Sequence, residues 1–225
     1  MQKVLVTGSN GFVAKRLIEH ISKHENEFID VFSTSAKEAE LNSNFYYLDL
    51  LKIDELDLSF LKGINTIIHL ASINEVDCVS NVKNAFNANG YATMQLYEKA
   101  AEYGVEKFIY VSTAHVYGPQ IGVINDQNSC NPIHPYSLSK YLGEQLLKCS
   151  KSELDFVILR LSNSFGYPVQ KETSRWKLLI NDLCKQAVQT QKVELKSSGI
   201  QYRNFIPLCK VLEILIHFVK MPKLD

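Results

Sequence analysis

A short apolar run passes through two glycines into a helix-like stretch, Val4-Leu5-Val6-Thr7-Gly8-Ser9-Asn10-Gly11-Phe12-Val13-Ala14, at the start of the chain. No other stretch narrows the possible folds as much. A strand that leaves a sheet through a tight glycine turn and enters a helix is how a parallel α/β sheet grips a dinucleotide pyrophosphate. Gly8 and Gly11 let the backbone come close, and the helix N-terminus faces the phosphates. Ala14 stands where the third small residue of that turn belongs, a replacement the turn tolerates. A second pattern reinforces the first. In Tyr136-Ser137-Leu138-Ser139-Lys140 the tyrosine and lysine are four residues apart, on one face of a helix. A lysine ammonium beside a phenol favours the phenolate and makes a proton-transfer group. The two patterns together point to nicotinamide redox chemistry.

Short β-branched runs alternate with longer amphipathic ones along the chain. Strands are expected over 3–6, 28–32, 45–48, 66–70, 107–111 and 156–159, and helices over 11–22, 82–103 and 135–148. This alternation argues for an α/β fold with a doubly wound, mainly parallel, Rossmann-like sheet over residues 1–165. From 166 onward the order changes: an irregular Gly-Tyr-Pro segment, a helix over 176–189, a strand over 201–206 and a helix over 211–219. That stretch, 166–225, reads as a small and incomplete substrate-covering part.

Composition excludes several alternatives. Lys and Arg total 24 against 24 Asp and Glu and are scattered, so the chain carries no phosphate-backbone footprint for nucleic acid. No apolar run approaches the roughly 20 residues of a spanning helix, and no secretory pattern opens the chain, so a cytoplasmic location away from membranes is expected. Cys78, Cys130, Cys149, Cys184 and Cys209 are too far apart in sequence for a zinc site or a disulfide scaffold. They read as free thiols, with Cys149 and Cys184 packed inside helices, and no metal is expected.

At this point the chain resembles the extended short-chain dehydrogenase/reductase family, the nucleotide-sugar epimerases and their relatives. Segments match in order across nearly its whole length: the TGxxGFxA turn, Asp49-Leu50, His69-Leu70-Ala71, 87–90, Val111-Ser112-Thr113 with Val116-Tyr117-Gly118, YxxxK, Leu159-Arg160-Leu161-Ser162-Asn163 with Gly166, and Arg203-Asn204-Phe205-Ile206. The resemblance implies a catalytic Thr113, Tyr136 and Lys140. Thr113 would orient a substrate hydroxyl, Tyr136 would move its proton, and Lys140 would tune the tyrosine and hold the nicotinamide ribose. A phenol of ordinary pKa about 10 would have to fall toward about 7, roughly 4 kcal/mol of preferential stabilisation of the phenolate. The cofactor-side positions implied are Gly8, Asn10, Gly11, Phe12, Ser33, Asp49, Leu50, Leu70, Ala71, Ser72 and Asn87. Asp49 would meet the adenine amino group. Asn163 and Arg203 would bind the diphosphate of a nucleotide sugar, and His115 would face the sugar. A homodimer is compatible with the resemblance.

Each residue also has a plainer role open to it. Thr113 can cap a turn, Asp49 can be a strand-end carboxylate, Asn87 or Asn89 can cap a helix, and His69 reads as packed and hydrogen-bonded. His115 can serve the turn alone, and Trp176 can pack in the core.

Departures from the family pattern narrow the expectation. Ala114-His115 follow Thr113 where sugar 4,6-dehydratases carry Asp-Glu, which disfavours elimination. The second strand ends Phe32-Ser33-Thr34-Ser35 with no carboxylate for a ribose 2′-hydroxyl; these hydroxyls and Lys37 could receive a 2′-phosphate, tilting the choice between NAD and NADP toward NADP. The chain stops at Asp225, short of where such proteins usually end, so part of the covering region is expected to be absent or supplied by a partner. The resulting expectation is an NAD(P)-dependent nucleotide-sugar epimerase acting by hydride transfer at a sugar carbinol carbon. A 4-ketosugar reductase or dehydrogenase and a non-catalytic dinucleotide sensor are the alternatives.

Overall fold

The computed structural model describes residues 1–37, 44–119, 122–170 and 173–223. Its first half alternates as the periodicity requires: β1 (Gln2–Thr7), α1 (Phe12–His24), β2 (Ile29–Ser35), β3 (Phe45–Tyr47), β4 (Thr66–His69), α2 (Glu75–Ser80), α3 (Val82–Phe86), α4 (Ala92–Glu102), β5 (Lys107–Thr113), α5 (Pro135–Cys149) and β6 (Asp155–Leu161). The six strands form one parallel sheet in the order β3-β2-β1-β4-β5-β6. The order reverses between β1 and β4, where Thr7 pairs with His69, and a ligand crevice belongs outside the carboxyl ends of those strands.

Period-2 alternation divides the side chains between two apolar layers. Leu5, Ile67, Phe108 and Tyr110 join α4 and the irregular 48–64 connection on one face. Val4, Val6, Ile68, Ile109 and Val111 join α1 on the other. Strands β1, β2, β5 and β6 run past their expected ends, whereas β3 and β4 stop one residue short of 48 and 70. β2 extends to Ser35 because Ser33, Thr34 and Ser35 pair with β3, and β5 reaches Thr113 because Ser112 and Thr113 pair with β6. Backbone pairing, which periodicity cannot read, fixes those ends.

The helix expected over 82–103 is broken. A π-helical turn, Asn87–Tyr91, separates α3 from α4. The backbone oxygen of Asn89 accepts from the Tyr110 hydroxyl at 3.2 Å and from the Thr93 hydroxyl at 3.0 Å, and Gly90 sits bare against Leu142. Outside partners thus compete with the helical ladder at that turn.

After β6 come β7 (Asn163–Phe165), α6 (Leu179–Thr190), β8 (Phe205–Pro207) and α7 (Leu208–Lys220). β7 and β8 pair in parallel as a separate two-stranded sheet. The strand expected over 201–206 shrinks to β8 because β7 offers only three partners. The helix expected over 176–189 begins at Leu179, after a 3₁₀ turn at Ser174–Lys177. α7 returns to the main sheet, where Val211, Leu212, Leu215 and Val219 pack with α1 and β1. All five cysteines are free. Cys149 and Cys184, expected to be packed, are exposed: α5 turns Lys140, Gly143, Glu144 and Leu147 inward, and α6 buries only Asn181. Cys78 is the buried thiol. Among the described residues no helix is long and apolar enough to cross a membrane.

Candidate active site

The turn after β1 is shaped as a cradle. Gly8 has φ +69°, and a Cβ there would lie 2.7 Å from Ala71 Cα and 2.8 Å from its nitrogen, so only glycine lets the turn lie against the end of β4. Gly11 N–H donates to the Gly8 carbonyl at 2.8 Å. α1 then starts with no side-chain cap and no acidic residue in its first turn. Its first N–H groups, at Phe12, Val13 and Ala14, border a cavity and carry the helix's partial positive charge. A dinucleotide pyrophosphate fits such a cradle.

The switch point is held by a buried chain of hydrogen bonds. Leu70 and Ala71 N–H each donate to Thr7 Oγ1 at 3.1 Å, so the Thr7 hydroxyl proton is left to donate to His69 Nδ1, 2.8 Å away. His69 Nε2–H then faces Thr93 Oγ1 at 3.1 Å, and Thr93 donates to the Asn89 carbonyl. The chain fixes a neutral imidazole with its proton on Nε2. Burial first, then the positive field of Lys140, pushes the imidazole pKa down to about 3. His69 is the packed histidine the sequence suggested. Asn89 continues the network: its amide accepts from Ile73 N–H at 2.7 Å and donates to Ser139 Oγ at 2.9 Å, tying the β4 loop to α5.

α5 starts with a reciprocal cap. His134 Nδ1 accepts from Tyr136 N–H, Ser137 Oγ accepts from His134 N–H, and Pro135 occupies the first turn. Its inward face is polar, carrying Ser137, Ser139, Lys140 and Glu144. Lysine and glutamate are rarely buried without a purpose. Tyr136 lines the cavity, and its phenol is pushed up to about 12 by burial first; Cys78 and Glu75 add to the rise and Arg175 opposes it. In this geometry the phenol stays high because burial outweighs the lowering field of Arg175. Lys140 lies behind the cavity wall with its ammonium 4.2 Å from the Tyr110 ring centroid, and burial brings its pKa down to about 7 against the raising field of Glu144. Thr113 ends β5 at the cavity, where its Oγ1 also accepts from His115 N–H at 3.2 Å. The turn-capping role and a place in the cavity thus coexist. Below them, Glu144 accepts from Ser112 Oγ at 2.6 Å and takes Arg160 in a forked ion pair, and Arg160 donates to Tyr117 Oη at 2.8 Å.

The cavity measures about 1490 Å³ and gathers most of the positions named from sequence: Gly8, Asn10, Gly11, Phe12, Leu70, Ala71, Ser72, Thr113, His115, Tyr136, Asn163 and Arg203. Ser33, Asp49, Leu50, Asn87 and Lys140 do not line it. Ser33 is buried, and Ser35, two residues on, lines the cavity and accepts from Asn10 Nδ2 at 3.0 Å. Asp49 caps the 3₁₀ turn Leu50–Glu55 through Leu51 N–H at 3.0 Å, and Leu50 is in the core. Asn87 is exposed on the π turn, where its buried neighbour Asn89 does the bonding. Asn163 Nδ2 donates to the Asn204 carbonyl, and Arg203 Nη2 to Gln201 Oε1 at 2.8 Å. Trp176 is half-buried, edge-on to Tyr167, outside both apolar layers. Ser35, one of the strand-end hydroxyls named from sequence for a 2′-phosphate, is on the cavity wall, whereas sequence reasoning missed Glu75, Arg175 and Lys177 there. These three sit in short segments without periodicity.

A sheet in this order, with a glycine cradle at its reversal and a tyrosine helix beside the end of β5, is the frame of the extended short-chain dehydrogenases/reductases. The family model described as "NAD dependent epimerase/dehydratase family" matches residues 4–223. The chain belongs to that family. The uncharacterized UDP-glucose epimerase YtcB of Bacillus subtilis is 30% identical over 223 residues, covering 90% of this chain and 68% of that protein. The dTDP-D-glucose 4,6-dehydratase of Mus musculus is 32% identical over 233 residues, 94% of this chain and 63% of its own length. The crystal structure of UDP-glucuronic acid 4-epimerase from Bacillus cereus, in complex with UDP-glucuronic acid and NAD, superimposes with a TM-score of 0.81 at 26% identity, covering 99% of this chain and 74% of that one. The chain thus spans about two thirds of the length of the curated relatives it matches.

Proposed function

We propose that the chain acts on nucleotide sugars as an NAD(P)-dependent epimerase, by hydride transfer at a sugar carbinol carbon. One observation carries this reading: the glycine cradle, Thr113, Tyr136 and the cations Arg175, Lys177 and Arg203 all open into a single cavity. The cradle and the first turn of α1 bind the dinucleotide. At the far end the guanidinium groups suit a diphosphate, because a planar, permanently charged fork makes paired hydrogen bonds to phosphate oxygens. Between them, Tyr136 holds or takes the hydroxyl proton at its Oη and Thr113 Oγ1 orients that hydroxyl. Lys140 supplies positive charge from behind. NAD(P), when bound, supplies the hydride acceptor and a positive ring that favours the phenolate.

The relatives support a UDP-sugar, since one is a UDP-glucose epimerase by name and another was solved with UDP-glucuronic acid and NAD. Two of the relatives' chemistries are separated by residue 114 onward: Ala114-His115 supplies no acid pair for eliminating water, so we do not extend the dehydratase reaction to this chain. For the cofactor, the mouth of the cradle offers Ser35 and Asn10, and Lys37 follows. The one acid on the cavity wall among the described residues, Glu75, stands beside Tyr136 instead. Among the described residues no carboxylate stands at that mouth to repel a 2′-phosphate, so NADP is expected to bind at least as well as NAD.

The test is incubation with UDP-, GDP- and dTDP-sugars and a substoichiometric amount of oxidised NAD or NADP, following C4 stereochemistry by NMR. An epimerase inverts the carbon with no net change in reduced-cofactor absorbance. Stoichiometric oxidation of reduced cofactor by a ketosugar would replace the epimerase reading with a reductase, and cofactor binding with no turnover of any sugar would leave a sensor.

A further inference from the structure

The inward face of α5 carries two opposite charges one turn apart. Lys140 is 2% exposed and Glu144 is 0% exposed. Residues four apart on a helix are neighbours. Glu144 nevertheless spends both oxygens elsewhere. Oε1 accepts from Ser112 Oγ at 2.6 Å and Arg160 Nε at 3.1 Å, and Oε2 accepts from Arg160 Nη2 at 2.7 Å and Nε at 3.2 Å. Arg160 is itself fixed by Tyr117 Oη at 2.8 Å. The carboxylate is therefore pinned from β5 and β6, with Tyr117 holding the guanidinium that grips it. It acts on Lys140 through space.

The Lys140 ammonium has the Tyr110 ring below it at 4.2 Å. The titratable groups facing it are His69 from β4, Cys78 from α2, Tyr110 from β5 and Glu144 from its own helix, with Tyr136 one turn before it on that helix. His69 is neutral by its hydrogen-bond chain. Burial pushes the Cys78 thiol and both phenols up, so all three are neutral near pH 7. Glu144 is the one carboxylate among these groups. A buried ammonium with no counter-charge sheds its proton rather than bear the desolvation.

We propose that Glu144 is the positioning residue that keeps Lys140 charged in its buried place behind Tyr136, and that Ser112 and Arg160 are there to hold its carboxylate aimed. An ion pair that merely joined β6 to α5 would not need to stand one helical turn from the lysine. The inference rests on the reading of Tyr136 and Lys140 given above. Its test needs no turnover.

Lysine labelled with ¹³C at Cε is followed by NMR across pH, with the Lys140 signal identified by its loss in Lys140→Met. The wild-type midpoint is expected near neutrality. In Glu144→Gln, which keeps the size and the bond to Ser112, it should fall by at least one pH unit, a tenfold loss of proton affinity. The double variant Glu144→Gln/Arg160→Met leaves no uncompensated guanidinium, so it should regain thermal stability while the Lys140 midpoint stays low. A purely structural role predicts lost stability with an unmoved midpoint, and that result overturns the proposal. So does a double variant that titrates like the wild type; if the single variant does not fold, the double variant alone decides by the same criterion. Turnover of nucleotide sugars is assayed separately, so its absence would count against the proposed function and leave the titration result standing.

Discussion

Tyr136 illustrates how far one side chain's chemistry depends on what surrounds it. Burial holds its phenol protonated at neutral pH, with a pKa pushed up to about 12, so the residue enters the cavity as a proton holder. Tyr136→Phe removes only the hydroxyl and is expected to leave cofactor affinity unchanged while cutting kcat roughly 100- to 10,000-fold, the range of lost general acid/base catalysis. Near wild-type kcat would take Tyr136 out of the chemistry. His69 gives a second prediction at this scale. Its folded pKa is depressed to about 3 from an unfolded value of about 6.5, so between those values the unfolded chain binds a proton the native chain refuses. Stability therefore falls as pH drops below about 6.5 and levels off near 3. At about 1.36 kcal/mol per unit, acidification from pH 6.5 to 4.5 costs roughly 2–3 kcal/mol through this residue. Urea midpoints across that range should drop less steeply for His69→Gln, and parallel slopes would show that His69 does not titrate as described. Thr113, Tyr136 and His69 were legible because strand ends and helical spacing mark them. Arg175 and Glu75 were not, because an irregular segment or a single helical turn brings them to the cavity and no spacing rule reaches them.

Among the elements, α5 was read from sequence nearly to its ends, because its helical periodicity runs unbroken from Pro135. The helix across from it was misread as continuous. Its amphipathic pattern holds from α3 through α4, but Gly90 and the carbonyl of Asn89 answer to α5 and to Tyr110 rather than to their own helix. Long-range partners of this kind leave no local trace in a sequence. The close approach has a measurable consequence. A Cβ on Gly143 would stand 2.6 Å from the Asn89 carbonyl oxygen and 2.6 Å from Tyr110 Oη, both held in place by the buried network. Gly143→Ala should therefore destabilise the fold by about 1–3 kcal/mol, the usual cost of overpacking, although alanine is the better helix former by up to about 1 kcal/mol. Denaturant unfolding measures this, and a neutral or stabilised variant would mean that α5 can back away from the π turn at no cost.

On the scale of the whole molecule, the chain leaves the main sheet after β6 and comes back. α7 packs beneath β1 beside α1, and Lys107, at the start of β5, points its buried ammonium at the carbonyl oxygens of Phe218, Val219 and Met221, capping the last turn of α7. The sequence pattern, which placed everything after 165 in a covering part, had no means of foreseeing that return, because a lysine opening a strand carries no sign of the helix it will cap. Between β6 and α7, residues 163–165, 175, 177–180, 201–203 and 205 supply the far wall of the cavity, and residues 191–204 are exposed at every position. Gln201, Tyr202 and Arg203 line the cavity even so, with Tyr202 98% exposed. Side chains that border a cavity while nearly all of their surface faces water have few protein contacts to lose and much to gain from a ligand that bridges to them. A nucleoside diphosphate is such a ligand, since its phosphates can draw in Arg203 and its base offers a flat face to Tyr202. Hydrogen exchange read by mass spectrometry should therefore separate the two ends of the cavity. NAD or NADP should slow exchange around 8–14 and 70–72 and leave 201–204 as it was, whereas UDP added to the cofactor complex should slow exchange across 201–204. Protection by UDP confined to the glycine cradle would place the nucleotide of the sugar at the wrong end, and with it the roles given to Asn163 and Arg203.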